Sequence, residues 1–151
     1  MKGAERPYGE RVVAVGDMGV TRLYKDGIGA AFRTAKAAAE AAIIHGISAA
    51  DFQAHYMPTC RGITVDNYYG HVIFAFTALF RKSRFARKVV LRMTAAEQTR
   101  GKGRHMSGIL WNMFTGSAPY REVFFRALHP GFIFGLVWNA LVCLLPTKRG
   151  K

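Results

Sequence analysis

Acidic residues are scarce in this sequence: 151 residues carry nine Asp and Glu against 22 Lys and Arg, a formal net charge of +13. A basic excess favours acidic partners, whether nucleic acid, anionic lipid or phosphorylated ligands, without choosing among them. Cysteine is scarcer still. Cys60 and Cys143 lie far apart and belong to no paired motif, which argues against a disulfide scaffold or a zinc pair and for thiols in a reducing compartment. The five histidines, His45, His55, His71, His105 and His129, show no metal-ligand spacing, so no metal is expected. There is no P-loop, no Ser nucleophile elbow and no complete Gly-x-Gly-x-x-Gly. Met1 to Glu10 lacks the apolar core of a signal peptide. What is present is a chain that is half apolar, enough to bury one domain core or part of one, and too hydrophobic for disorder.

The chain is organised around Arg11-Val-Val-Ala-Val-Gly-Asp17, followed by Lys25-Asp26-Gly27-Ile28-Gly29 and an Ala-rich run ending near His45. A β-branched run that stops at Gly-Asp, then a glycine pair opening a helical pattern, is how a strand delivers a ligand to a helix N-terminus. Val12 to Val15 is apolar without alternation and predicts a strand, over about 11–16, covered on both faces. The ten residues before it are too few to build a sheet, and Pro7 and Gly9 predict an extended lead-in with a turn.

Val15-Gly-Asp-Met-Gly-Val-Thr-Arg-Leu-Tyr-Lys-Asp-Gly-Ile-Gly-Ala-Ala-Phe-Arg-Thr-Ala-Lys-Ala-Ala-Ala-Glu-Ala resembles the second flavin-binding motif of FAD-dependent oxidoreductases, in particular the geranylgeranyl-reductase-like and flavin-dependent dehydrogenase group. Gly16 and Asp17 match the family's Gly-Asp pair, and Asp26-Gly27-Ile28 stands where Glu-Gly-Ile would. The resemblance implies that Gly16, Asp17, Met18, Asp26, Gly27, Ile28 and Gly29 line FAD. Asp17 would take the ribityl hydroxyls, and the later glycines would let backbone N–H groups approach the pyrophosphate and the isoalloxazine edge. The chain departs from the pattern in its loop, which lacks the usual proline, has Arg22-Leu23-Tyr24-Lys25 in its place and is shorter. The Phe114-Thr-Gly-Ser-Ala-Pro-Tyr-Arg121 and Leu128-His-Pro130 segments are also similar to that group, less specifically.

Beyond the loop, Gly29 to His45 predicts an amphipathic helix with Phe32, Ala35, Ala39 and Ile43 on one stripe and Arg33, Lys36 and Glu40 on another, stopped by Gly46. Its alanines either allow close approach to a neighbouring layer or only raise helicity. Ser48 and Asp51 predict a capping box, and Pro58 should kink or end the helix that follows. Thr64 to Phe80 predicts a helix whose aromatics, Tyr68 and Tyr69 included, belong to the core. Arg81 to Arg92 predicts a basic amphipathic helix, with Phe85, Val89 and Met93 opposite Arg81, Arg84, Lys88 and Arg92. That basic face is expected to be solvated or to meet an anionic membrane; no nucleic-acid module accompanies it.

Gln98 to Gly108 predicts a surface hinge, Met106 to Phe114 a helix, and Tyr120 to Leu128 another, capped by Thr115 or Ser117 and broken by Pro130-Gly131. Gly131 to Leu145 is the most apolar segment, followed by Lys148, Arg149 and Lys151. It falls short of the roughly twenty residues that span a bilayer; an in-plane anchor and a buried terminal helix both fit.

The fold expected is therefore mainly α, with one short strand leading into an Ala-rich helix, as a fragment of an α/β Rossmann-like FAD-binding fold without its N-terminal βαβ unit. Residues 1–46 would be the end of the FAD-binding domain and 47–151 a helical C-terminal region. The function implied by the resemblance is the C-terminal portion of an FAD-dependent oxidoreductase or dehydrogenase acting on a lipid-like or hydrophobic substrate. Its partners would be FAD, a missing N-terminal nucleotide-binding portion and an anionic membrane surface, and its place cytoplasmic, peripheral on a membrane's inner face. No catalytic residue can be assigned, and the chain alone would be inactive. The rival is a non-enzymatic basic helical module associated with membrane surfaces.

Overall fold

The computed structural model of the chain describes residues 4–23, 27–100 and 104–145. Asp26, like Tyr24 and Lys25, and the basic residues Lys148, Arg149 and Lys151 lie outside the described residues. The described residues are mainly helical, with one two-stranded antiparallel sheet. They form two compact units, residues 1–71 and 72–151.

In the first unit the valine run does not make the strand expected over 11–16. Strand β1 (Tyr8–Gly9) pairs with β2 (Val12–Val13), Tyr8 opposite Val13 and Gly9 opposite Val12. The reversal occurs at Glu10 and Arg11, whose φ of 58° is left-handed. So the strand finds its partner in the lead-in itself, and the run is not covered on both faces: Val12 is 67% exposed. The turn is fastened outside the hairpin, by the Arg11 N–H donating to the Ile47 carbonyl (2.9 Å) and the Ala49 N–H donating to Glu10 Oε2 (3.1 Å).

Helix α1 (Gly27–Glu40) continues into a π-helical turn (Ala41–His45) and stops at Gly46, whose φ of 129° suits glycine alone. Its buried face is Ala30, Thr34, Ala38 and Ala41. The predicted apolar stripe faces solvent, with Phe32 68% and Ile43 84% exposed. Small residues won the core because this helix lies close against the loop that precedes it, where a phenylalanine would not fit.

Ser48 caps the next helical stretch as expected. The Asp51 N–H donates to Ser48 Oγ and the Ser48 N–H donates back to Asp51 Oδ2 (3.0 Å). The Ser48 hydroxyl, donating to Asp51 Oδ2 (2.7 Å), and then the Ser48 N–H, with His55 and His45 nearby, hold the Asp51 carboxyl below its ordinary range. Helix α2 (Ala49–Asp51) passes through a π-helical turn (Phe52–Tyr56) into α3 (Met57–Lys82). Pro58 neither ends nor breaks this run. It is the second residue of α3, and the widened turn before it carries the backbone past the missing N–H. Phe52, Tyr56, Cys60 and Ile63 bury against Val20 and the α1 alanines.

The second unit contains the last part of α3, then α4 (Arg84–Arg100), α5 (His105–Thr115), α6 (Tyr120–Ala127) and α7 (Pro130–Leu144). The basic stretch is not one helix from Arg81, because Ser83 interrupts it and accepts the Ala86 N–H on its Oγ (3.2 Å). Beyond that break the predicted stripe holds at Val89 and Met93, which are buried, but not at Phe85, which at the start of α4 is 42% exposed; Arg84, Lys88 and Arg92 are exposed as expected. The expected hinge over 98–108 shrinks, since helix runs to Arg100 and resumes at His105. The reason is Glu97, buried, whose carboxylate accepts the Met106 and Ser107 N–H groups (both 2.8 Å) and so caps α5. Thr115 and Ser117 do not cap α6: the Ser117 hydroxyl donates to Asn112 Oδ1 (2.9 Å), and Pro119 occupies the cap position without a side-chain bond. Met93, Met106, Ile109, Val123 and Phe132 make the core. Of the aromatics expected in the interior, Tyr68 of the first unit and Phe76 of the second are exposed instead.

Candidate functional site

The candidate site lies in the first unit, where the loop after β2 meets the start of α1. Gly16, Asp17 and Met18 form a single 3-10 turn entered from an extended Val15. Gly16 has φ 62°, and a Cβ there would lie 3.3 Å from Ala31 Cβ, so both backbone conformation and space call for glycine. Its N–H donates to Thr34 Oγ1 at 2.8 Å, in a buried bond, while the Thr34 hydroxyl donates to the Ala30 carbonyl one helical turn back (2.9 Å). One threonine among alanines thus fastens the Gly-Asp turn to the flank of α1.

Two further clamps hold the chain on either side. Tyr56, fully buried, donates its hydroxyl to the Ala14 carbonyl. Burial pushes the Tyr56 phenol up, and the Cys60 thiol beside it adds to the shift; burial also pushes up Cys60 itself. On the other side the Leu23 N–H donates to Asn67 Oδ1 (2.9 Å) and Asn67 Nδ2 donates to the Thr21 carbonyl (2.7 Å). Arg22, buried, pairs with Asp66 at 3.4 Å. Thr21, Arg22 and Leu23 are thereby pinned to α3.

Of the residues expected to line a cofactor, Gly16, Asp17 and Gly27 come together. A Cβ on Gly27 would lie 3.8 Å from Asp17 Oδ2, so the carboxylate stands beside the first residue of α1. Met18 and Ile28 project to the surface, 80% and 89% exposed. Gly29 lies in the first turn of α1, and Asp26 lies outside the described residues. The first turn of a helix has N–H groups without intrahelical partners and the positive end of the dipole. An exposed carboxylate next to it is an acceptor for hydroxyl groups. The arrangement can hold a molecule that brings hydroxyl donors and an anionic group side by side, with no Cβ from residue 27 or 29 in the way, and in those respects the residues fit a ribityl diphosphate.

Sequence reasoning missed Thr34, Tyr56, Asp66 and Asn67, none of which touches the solvent side of the turn. Their signal was faint: a lone hydroxyl in an alanine run, and an Asp-Asn pair in a helix otherwise rich in apolar residues.

The comparisons with protein-family models, with curated proteins and with solved structures found no match.

Proposed function

We propose that this chain is the C-terminal portion of an FAD-dependent oxidoreductase and supplies the part of the flavin site that meets the ribityl chain and the diphosphate. The observation that carries the proposal is the Asp17 carboxylate held beside the glycine-opened N-terminus of α1 by the Gly16–Thr34 bond. In this reading Asp17 accepts ribityl hydroxyls, the N–H groups of Gly27 to Gly29 face the anion, and Gly16 keeps the turn close to the helix. FAD, when bound, supplies the electron transfer; the chain orients it and sets the local charge. A further support is the exposed stripe Ile28, Phe32, Ala35, Ala39 and Ile43, spaced at helical intervals along α1. That is the face a nucleotide-binding sheet would cover, with two alanines permitting close approach.

The test is flavin absorbance co-eluting with the protein on gel filtration. The chain alone should retain little FAD, and restoring the coding sequence upstream of it should give a stoichiometric yellow protein. In that longer protein Asp17→Ala removes a charge-assisted hydrogen bond of about 1.5–3 kcal/mol, a loss of roughly ten- to a hundredfold in FAD affinity. Unchanged affinity in Asp17→Ala, or an upstream segment with no strand and Gly-x-Gly-x-x-Gly and no flavin, would end the proposal.

The second reading, a basic module at membrane surfaces, is favoured by α7. Phe134, Val137, Trp138, Leu141 and Leu144 line an exposed stripe of that helix. Among the described residues no single helix is long and apolar enough to cross a membrane; α6 and α7 together have the length and composition but are bent by 59°. An in-plane attachment predicts sedimentation with vesicles containing anionic lipid, weakening as salt rises. Equal recovery in the supernatant with and without such vesicles removes it.

A further inference from the structure

Wholly within the second unit, α3 to α7 line a half-open apolar cavity of about 560 Å³, well within the roughly 300–1,000 Å³ of small-molecule sites. Its walls include Phe76, Leu91, Leu110 and Phe124, and among the described lining residues Thr77 is the sole uncharged polar one. The Thr77 hydroxyl is already donated to the Ile73 carbonyl (2.9 Å). The interior therefore offers a guest nothing but aliphatic and aromatic contact.

The mouth is different. Arg81 and Arg87 line the same cavity and are both exposed. Neither has a carboxylate partner among the described residues, and the unit has few to offer. Residues 72–151 hold fourteen Lys and Arg but only Glu97 and Glu122 as acids, a net of +12. Glu97 is engaged in capping α5, and Glu122 pairs with Arg126. An anion for Arg81 and Arg87 has to come from outside the unit.

We infer that this cavity binds a single-chain anionic amphiphile, its alkyl chain among the α3–α7 side chains and its carboxylate or phosphate head at Arg81 and Arg87. Arginine suits the head because its planar fork meets either group with paired hydrogen bonds, while its aliphatic stem continues the apolar wall. The inference stands apart from the flavin site and needs no cofactor. Either can fail without the other.

The experiment is calorimetric titration of the full chain with octanoate, decanoate, dodecanoate and tetradecanoate, each kept monomeric, and with dodecyl phosphate and dodecanol. Affinity should rise about three- to fourfold for each added methylene, the increment that burial of one CH₂ gives, and level off once the cavity is full. Dodecanoate and dodecyl phosphate should bind about tenfold or more tightly than dodecanol. The double variant Arg81→Gln, Arg87→Gln, changing exposed side chains only, should reduce the two anions to the affinity of the alcohol and leave the alcohol unchanged. Leu110→Trp should lower the chain length at which affinity levels off. A flat chain-length series, equal binding of dodecanoate and dodecanol by the unaltered chain, or binding to vesicles with none to monomers would each overturn the inference, the last assigning the surface to membrane instead.

Discussion

The two units solve the problem of order by opposite means. The first, residues 1–71, is close to electrically neutral, with eight Lys and Arg against seven acids. Its interior sets the alanines of α1 against Phe52, Tyr56 and Ile63 and ties the chain with polar groups that each have a designated partner: Thr34 with Gly16, Tyr56 with Ala14, Asn67 with Thr21 and Leu23, Ser48 with Asp51. The second, residues 72–151, carries a net of +12 and packs methionine, isoleucine and phenylalanine around a cavity, with Glu97 as its main buried polar tie. Hydrogen bonds are directional, so a unit that depends on them holds one loop in one geometry. Methionine and aliphatic contacts are adaptable, so a unit that depends on them tolerates variation and leaves room for an apolar guest.

Substitutions can break that contrast, because both tryptophans, Trp111 and Trp138, lie in the second unit. Their fluorescence reports that unit alone, while amide hydrogen exchange resolves the first. The largest effect expected is from Gly19→Ala. A Cβ there would lie 2.4 Å from the Ala14 carbonyl oxygen and 2.9 Å from the Tyr56 hydroxyl, backbone on one side and a buried phenol on the other. It should cost about 3 kcal/mol, as overpacking does, with exchange protection lost across residues 4–71 and the tryptophan signal unmoved. A variant as protected as the parent would show that the loop is not held closely.

Thr34→Val comes next. It keeps the shape but strands the buried Gly16 N–H, at a cost of about 2 kcal/mol, and in the longer protein it should weaken FAD retention without touching Asp17. The matching change in the second unit, Met113→Leu, swaps one adaptable apolar side chain for another and should cost less than about 1.5 kcal/mol. Similar losses for the two would erase the distinction between the units.

The smallest effect concerns the Ser48–Asp51 box. Ser48→Ala should destabilise the first unit by about 1 kcal/mol. Because the folded Asp51 carboxyl is held below its unfolded value of 3.8, its contribution is present above that pH and is lost as pH falls through the lowered value. Asp51→Asn should therefore flatten the acid limb of stability below about pH 4 in the first unit. An unchanged acid limb in urea titrations followed by exchange would contradict the box.

Much of the helical layout was legible from residue pattern. Periodicity located α1, α4, α5 and α6, Gly46 marked a helix end, and Ser48 and Asp51 announced a cap, because each of these signals acts within one or two turns of the chain. Misreadings came where the decision depended on distant residues. The valine run was read as a lone, fully covered strand, and it took Tyr8–Gly9 and a left-handed Arg11 to make it half of a hairpin. Pro58 predicts a kink or an end, and the π-helical turn before it, which lets the helix run on, is a backbone adjustment that composition does not announce.

The order of elements, the mainly helical character, the concentration of basic charge after Arg81 and the candidacy of Gly16, Asp17 and Gly27 were all determined by the sequence, through local propensity and the fixed chemistry of side chains. Tertiary structure decided which stripe of α1 is buried. Phe32 and Ile43 satisfy helical periodicity as well as Thr34 and Ala38 do, and only the approach of the Gly16 turn, too close for a large side chain, turns the alanine face inward and leaves the apolar one outside.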